Sequence, residues 1–427
     1  MDEFARIRHW TAGRQSAEWL RSRGVVLGIG DDAAVVETPA AEDGEALRWV
    51  MAVDTMVETV HFNAVTMDDE DIGYKALAAN VSDIAAMGGV PRHALVSVSV
   101  PASFGPERMR RLYDGLYACA ERYGVAVIGG DTTSSPAHLV VAVTVAGTVE
   151  AGRDLRRSGA RPGDAVFVTG PVGLSAAGLH WLSAAGGLAR GDAEAGGGRR
   201  DDAEAEARVD GAGRTAAPLS AEGMRPHAEA PAGAVAAGRT AVPLSAAEAA
   251  GTAALVRAHR RPEPSVRAAR LLAGHGGCTS LNDVSDGLAS EAWEIAEASG
   301  AAIVLREELL PRAGSLASYA VSAGVGSGRD AASLALDWML YGGEDYVLLG
   351  TASASACEPL RALFNREGLP FYVIGGVEDG PAAVWLERAA AVGGGQGRPG
   401  KLGGKAGKRS MQRLALAKRG YNHFADA

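Results

Sequence analysis

Hydrophobic and polar positions alternate most cleanly over residues 94–100, where Ala94, Val96, Val98 and Val100 fall on one side and Leu95, Ser97 and Ser99 on the other. A period of two is that of a half-buried strand. The same alternation over 139–149 predicts another strand. Apolar runs at 35–36, 50–53, 125–128, 165–168, 301–305, 346–349 and 371–377 predict more. Between these runs the period lengthens. Over 72–87, Leu77, Val81 and Ile84 recur at i, i+4 and i+7, and four acidic residues, Asp68 to Asp71, precede them as suits a helix start. Asp83 lies well round from that stripe, beside Ala76, Ala79 and Asn80. A face of small residues carrying one carboxylate suits close approach to something charged. Helices are also expected over 5–22, 106–123, 175–185 and 256–272, with another capped by the Asp283–Leu288 stretch and ending at Ser299.

Strands and helices in this order predict an α/β fold in two units, 1–150 and 151–427. The second unit is interrupted twice. Residues 186–250 hold little besides Ala, Gly, Glu, Asp and Arg, and Gly213-Arg-Thr-Ala-Ala-Pro-Leu-Ser-Ala221 returns at 238–246 with one change. Two copies without a hydrophobic face do not build a solenoid, so the segment reads as a flexible, low-complexity insertion. Residues 391–408 form a second, Gly/Lys-rich tract of the same kind.

Composition narrows the function. The 427 residues carry 42 Lys and Arg against 51 Asp and Glu, a net charge of −9. A nucleic-acid binder would show the opposite balance. The acidic surplus would also repel a phosphorylated ligand, which calls for a cation between protein and phosphate. Cys119, Cys278 and Cys357 are too far apart for a zinc motif or a redox pair, and a sparse set suits a reducing cytoplasm. No run approaches the roughly 18 apolar residues of a membrane span, and the N-terminus has no apolar core of a signal peptide. A cytoplasmic protein acting without nucleic acid or membrane is expected.

Five stretches join small, flexible residues to aspartate: Gly28-Ile-Gly-Asp-Asp32, Val53-Asp-Thr55, Asn80-Val-Ser-Asp83, Gly129-Gly-Asp-Thr132 and Asp283-Val-Ser-Asp-Gly287. Glycine lets backbone approach a bulky anion, and clustered carboxylates need cations to be buried. Converging in space, such stretches would hold hard divalent metals through oxygen, and the metals would hold phosphates. The strand 125–128 running into Gly129-Gly130-Asp131 adds a strand end of the kind where α/β proteins place ligands. No Gly-x-x-x-x-Gly-Lys-Ser/Thr loop is present, so a P-loop kinase is not expected.

These motifs, together with His61-Phe62, the run Tyr74-Lys-Ala-Leu-Ala-Ala-Asn-Val-Ser-Asp-Ile-Ala-Ala-Met-Gly88, Gly342-Gly-Glu-Asp-Tyr346 and Gly420-Tyr-Asn-His-Phe424, resemble the thiamine-monophosphate kinase family. That family lies in the superfamily of aminoimidazole ribonucleotide synthetase, selenophosphate synthetase and the hydrogenase-maturation dehydratase. The resemblance covers about 5–180 and 256–427. It implies a two-domain α/β (α+β) fold, with an N-terminal ATP- and metal-binding domain whose sheets form a dimeric barrel and a C-terminal α/β domain. It further implies a homodimer that uses ATP and several magnesium ions to phosphorylate thiamine monophosphate to thiamine diphosphate. Carried over by position, Asp32, Asp54, Asp83, Asp131, Asp283 and Asp286 resemble the magnesium ligands. Tyr113, Gly130, Asp131, Arg157 and Ser285 resemble the ATP site, and His61, Glu344 and Phe424 the contacts to thiamine monophosphate.

The chemistry agrees with that allocation. A phosphate monoester is largely dianionic at neutral pH, so no catalytic base and no enzyme nucleophile are needed, and no Ser-His-Asp set is offered. Three departures stand out: Ala52-Val53 replaces a small hydroxyl pair, Arg261-Pro-Glu-Pro-Ser265 lacks the closing arginine, and Asn422 replaces an aspartate. Two rival readings are a superfamily enzyme acting on a ribonucleotide amide and a non-catalytic nucleotide-binding regulator. A retired enzyme should have lost some of the six aspartates, and all six are present.

Overall fold

The alternating segments of the first 150 residues pair into one sheet. The computed structural model describes residues 16–22, 25–27, 31–37, 46–196, 246–389 and 411–419. In chain order the first part comprises α1 (Ala17–Ser22), β1 (Val25–Leu27), β2 (Ala34–Glu37), β3 (Leu47–Val57), α2 (Asp69–Ala86), β4 (Val90–Pro101), α3 (Pro106–Tyr123), β5 (Ala126–Ser135) and β6 (Val140–Glu150). The strand order is β1-β2-β3-β6-β4-β5. The β4–β5 pair is parallel and the other neighbours are antiparallel.

One face of this sheet buries Val96, Val98, Val141, Val143 and Val145 beneath α2 and α3, which contribute Leu77, Val81, Ile84, Leu112 and Leu116. The two helices touch backbone to backbone. A Cβ at Gly73 would lie 1.8 Å from the Leu112 carbonyl oxygen, and one at Gly115 would lie 1.8 Å from that of Glu70. Large substituents at either glycine would force the helices apart. The opposite face leaves Leu95 and Val53 exposed, both in register with Thr144.

The second part comprises β7 (Ala165–Val168), α4 (Leu174–Gly196), α5 (Ala246–Arg260), α6 (Val266–His275), β8 (Cys278–Asp283), α7 (Leu288–Ser299), β9 (Ala302–Arg306), α8 (Gly314–Ser327), α9 (Ala331–Tyr341), β10 (Leu348–Ala352), α10 (Ala354–Arg366), β11 (Tyr372–Glu378), β12 (Ala383–Ala389) and β13 (Met411–Ala415). Its sheet runs β13-β12-β9-β11-β7-β10-β8. Both faces are covered. On one, Leu288, Ala292 and Ile295 of α7 and Met339 and Leu340 of α9 pack with Val166, Val168, Ile303 and Ile374. On the other, Phe167, Leu281 and Leu348 pack with α6, α10 and Ala85 and Ala86 at the end of α2. One core therefore joins the first helix layer to the second sheet. Among the described residues no helix is long and apolar enough to cross a membrane.

Several expectations need correction. β5 does not stop before Gly129-Gly130-Asp131 but runs through it to Ser135. The absence of a side chain lets Gly130 press on β4, where a Cβ would meet the Val96 carbonyl oxygen at 1.8 Å. α4 continues past 185 to Gly196, and α5 begins at Ala246, so both ends of the low-complexity segment are helical. The helix expected over 256–272 is broken at Arg261–Ser265, because Pro262 and Pro264 remove donors and disfavour helical geometry before them. α7 has Gly287 at its N-cap and no side-chain cap, so neither Asp283 nor Asp286 caps it. The strand after Gly342-Gly-Glu-Asp345 begins at Leu348, not at 346. Residues 1–15, 197–245 and the 391–408 tract lie outside the described residues.

Candidate active site

Three elements bring aspartates to one point. β8 ends on Asp283, opposite Leu348 of β10. α2 presents Asp83 one turn beyond Ala79, and Asp32 precedes β2. Oxygen atoms of Asp32, Asp83 and Asp283 lie within 4.8 Å of one another. Asp54 adjoins them from β3, its N–H donating to Asn80 Oδ1 at 2.9 Å. Asn80 is fully buried and donates its own amide to the Ala76 carbonyl at 3.0 Å, which fixes β3 against α2.

The electrostatics of this point are unfavourable as they stand. Burial, followed by the charges of Asp54, Asp283 and Asp32, pushes Asp83 well above the usual carboxylate range. Burial and the nearby Asp32 push Asp283 up to about 8. Asp32 is raised by burial despite Arg157, and Asp31 is pushed up to about 6 by burial and by Asp32. Carboxylates converging in a poorly solvated place are matched only by a cation of high charge density with oxygen preference. The donor set therefore fits magnesium.

Arg157 faces the same point from the segment before β7. Its guanidinium pairs with Asp32, and its Nε donates to Asn282 Oδ1 at 3.3 Å. Glu291 of α7 is buried and gathers the loop around it. It accepts from Asp286 N–H at 2.9 Å, Ser285 Oγ at 3.2 Å and Asn282 Nδ2 at 2.5 Å. One carboxylate thus sets the shape of the whole Asp283–Gly287 turn.

A second polar centre lies two turns earlier on α2. Lys75 Nζ reaches Glu344 Oε2 at 2.6 Å, and His259 Nδ1 stands 3.4 Å from the same oxygen. Glu344 adopts φ 65° and Tyr346 φ 51°, sparsely populated values for residues with side chains. The strain is held by backbone bonds: Glu344 N–H donates to Ser285 O at 2.6 Å and Tyr346 N–H to Val284 O at 2.9 Å. Asp345 turns the other way. It accepts from Gly173 and Ser175 N–H at 2.5 and 3.0 Å at the start of α4, so the Glu-Asp pair divides into a cavity-facing residue and an anchor. His61 borders the cavity with its Nδ1 accepting from Val57 N–H at 3.0 Å.

Both centres open into one cleft of about 1350 Å³. Of the expected site residues, Asp32, Asp54, Asp83, Asp286, Arg157, Ser285, His61 and Glu344 line it, and Asp283 adjoins Asp32 and Asp83 without lining it. Gly130 and Asp131 do not. They border a separate hollow of about 260 Å³ with Leu95, Ser97 and Thr144 on the open face of the first sheet. Tyr113 is half-buried against the first core beside Tyr117 and lines neither space. Phe424 lies outside the described residues. Sequence reasoning gave no role to Lys75, His259, Glu291 or Asn282. For Lys75 the one available signal was a charged residue at helical spacing from Asp83.

Comparison with known proteins places this geometry. Residues 30–149 match the family model "AIR synthase related protein, N-terminal domain", and 236–386 match "AIR synthase related protein, C-terminal domain". A thiamine-monophosphate kinase of Bacillus subtilis is 34% identical over 424 residues, covering 99% of this chain and 100% of the relative. That of Salmonella typhimurium is 30% identical over 82% of this chain and 84% of the relative. Among solved structures, AaThiL complexed with AMPPCP and TMP superposes with a TM-score of 0.64 at 25% identity, covering 99% of this chain and 97% of that one. Full-length likeness in sequence, with the same two domains and the same fold, decides the family. The chain belongs to the thiamine-monophosphate kinases, within the AIR synthase related proteins.

Proposed function

We propose that this protein transfers the γ-phosphoryl group of ATP directly to thiamine monophosphate, giving thiamine diphosphate and ADP, in the cytoplasm. The observation that carries the reading is a single cleft with a carboxylate cluster at one end and the Glu344 centre at the other. The relative whose structure is described with AMPPCP and TMP supports the choice of both substrates. Asp32, Asp54, Asp83, Asp283 and Asp286 would hold magnesium. When bound, magnesium neutralises the phosphate charges and aligns them for in-line displacement. Arg157, already forked between Asp32 and Asn282, adds a planar donor for phosphate oxygens, with Ser285 beside it. Glu344, His61 and Phe424 receive the acceptor. Its own phosphate is dianionic near neutrality, so no residue has to remove a proton and no covalent enzyme intermediate is required.

Asp131 and Gly130 enter this scheme only through a second copy. Asp54, Val143, Val96 and Gly130 lie on one line across β3, β6, β4 and β5. Three strand steps put β5 about 14 Å from Asp54 within one chain. Asp131 continues a neighbouring line through Ser97, Ala142 and Thr55 on the open face. We therefore propose a homodimer in which the open faces of two first sheets close into a barrel, with Gly130 and Asp131 serving the nucleotide site at that junction, whereas Tyr113 lies on the helix-covered side of the sheet. In this reading residues 1–150 bind nucleotide and form the dimer, and 151–427 complete the cleft.

The test is incubation with ATP, magnesium and thiamine monophosphate, followed by product analysis. Thiamine diphosphate and ADP in equal amounts are expected, with no phosphorylation of free thiamine. Release of AMP, or turnover of a ribonucleotide amide alone, would overturn the assignment.

A further inference from the structure

Lys75, Ala79 and Asp83 stand at i, i+4 and i+8 on α2, along one helical face. Asp83 belongs to the carboxylate cluster, and Ala79 lines the cleft between it and the Glu344 centre. Eight residues of helix separate the two centres by about 12 Å along the axis. One rigid element therefore fixes the distance from the phosphate-transfer point to Glu344.

Lys75 itself is 0% exposed. Its ammonium meets Glu344 Oε2 at 2.6 Å and has no further hydrogen-bond partner among the described residues. Burying an ammonium for packing alone is costly, since an apolar side chain of similar volume would fill the space at no electrostatic penalty. What Lys75 contributes is a constraint on its partner. Glu344 Oε2 is turned inward to Lys75 and His259, and Glu344 also lines the cleft.

We propose that Lys75 is a positioning residue of the acceptor subsite: by engaging Oε2 it holds the Glu344 carboxylate aimed, so that its other oxygen, Oε1, meets the cationic, amine-bearing rings of thiamine monophosphate. The inference rests on the function proposed above. The charge states agree with it. Burial, the largest influence, would raise Glu344, but Lys75 together with His259 and His61 brings it below its ordinary value. Burial, with Lys75 next, pushes His259 down to about 3, and burial lowers Lys75 as well, opposed by the charges of Glu344 and Asp345.

Steady-state kinetics on the full-length chain test the role. Lys75→Met should raise KM for thiamine monophosphate about ten- to a hundredfold, as loss of a charged hydrogen bond does. KM for ATP and kcat should stay within about twofold, because only acceptor binding is lost. A folded Lys75→Met protein with an unchanged acceptor KM, or with kcat alone reduced, would show a purely structural lysine and overturn the proposal. If Lys75→Met does not fold, the neutral pair Lys75→Met with Glu344→Gln decides against Glu344→Gln alone. An equal acceptor KM in the two supports action through Glu344, and a further several-fold rise in the double variant overturns it. A wild-type protein inactive on thiamine monophosphate would instead sink the functional reading itself.

Discussion

Asp83 sits where four acidic groups, Asp32, Asp54, Asp283 and itself, repel one another in the absence of metal. Asp83→Asn removes one of those charges at almost constant volume. The magnesium-free variant should melt a few degrees higher than wild type, while turnover at saturating magnesium falls about a hundredfold or more. Calorimetry beside the assay checks both, and a lower melting temperature with retained turnover would take Asp83 out of the cation site. Asp54→Asn should likewise abolish turnover in a folded protein, read by circular dichroism. His259 carries a different prediction. Its pKa falls from 6.5 to about 3 on folding, chiefly through burial. Between those values the unfolded chain binds more protons than the folded one, so the contribution is complete above pH 6.5 and is lost as pH falls toward 3. From pH 7 to pH 5 this amounts to about 2 kcal/mol. Urea unfolding at the two pH values should show that loss in wild type and a smaller one in His259→Gln. At this scale the aspartates were legible because glycine and small residues flank them. Lys75, His259 and Glu291 were not, because each looks like an ordinary helical residue until a distant segment is packed against it.

Elements were legible where one face is buried and the other open. β4 and β6 announce themselves by alternation, β3 by the apolar run at its centre, and α2 by its stripe of Leu77, Val81 and Ile84. β8 and β12 were missed because short strands beneath covering helices show little contrast between neighbours, and α8 because Ala, Gly and Ser blur its period. β5 was misjudged for a specific reason. A Gly-Gly pair reads as a strand end, yet here it permits close approach to β4. Gly130→Ala should therefore destabilise the protein by about 1–3 kcal/mol, as overpacking does. A thermal shift measures it, and an unchanged melting temperature would deny the contact. α4 and α5 hold the ends of the low-complexity segment, with Ser175 Oγ 3.2 Å from His259 Nδ1 and Gly178 close against Leu255. Closing a loop between packed helices costs only logarithmically in its length. Replacing 197–245 with a Gly/Ser linker should leave activity within a few-fold, and a large rise in KM for ATP would assign the segment a part in nucleotide binding.

For the whole molecule, the two-unit α/β plan was readable from the order of periods, whereas the proposed pairing of chains is not, because an open sheet face has the same alternation as a solvated one. Leu95, on β4, is 47% exposed on that face. Leu95→Glu should place like charges opposite each other in the proposed barrel and yield a monomer in light scattering, with activity reduced. A dimer of unchanged stability would refute the barrel. The cleft offers carboxylates and Arg157 at the transfer point, and in-line transfer requires no nucleophile from the protein. The most direct test of single, in-line transfer is the stereochemistry at phosphorus, using ATP made chiral at the γ-phosphoryl group with oxygen isotopes and thiamine monophosphate as acceptor. Inversion in the terminal phosphoryl group of thiamine diphosphate is predicted. Retention would require two displacements through a phosphorylated enzyme and would contradict the account.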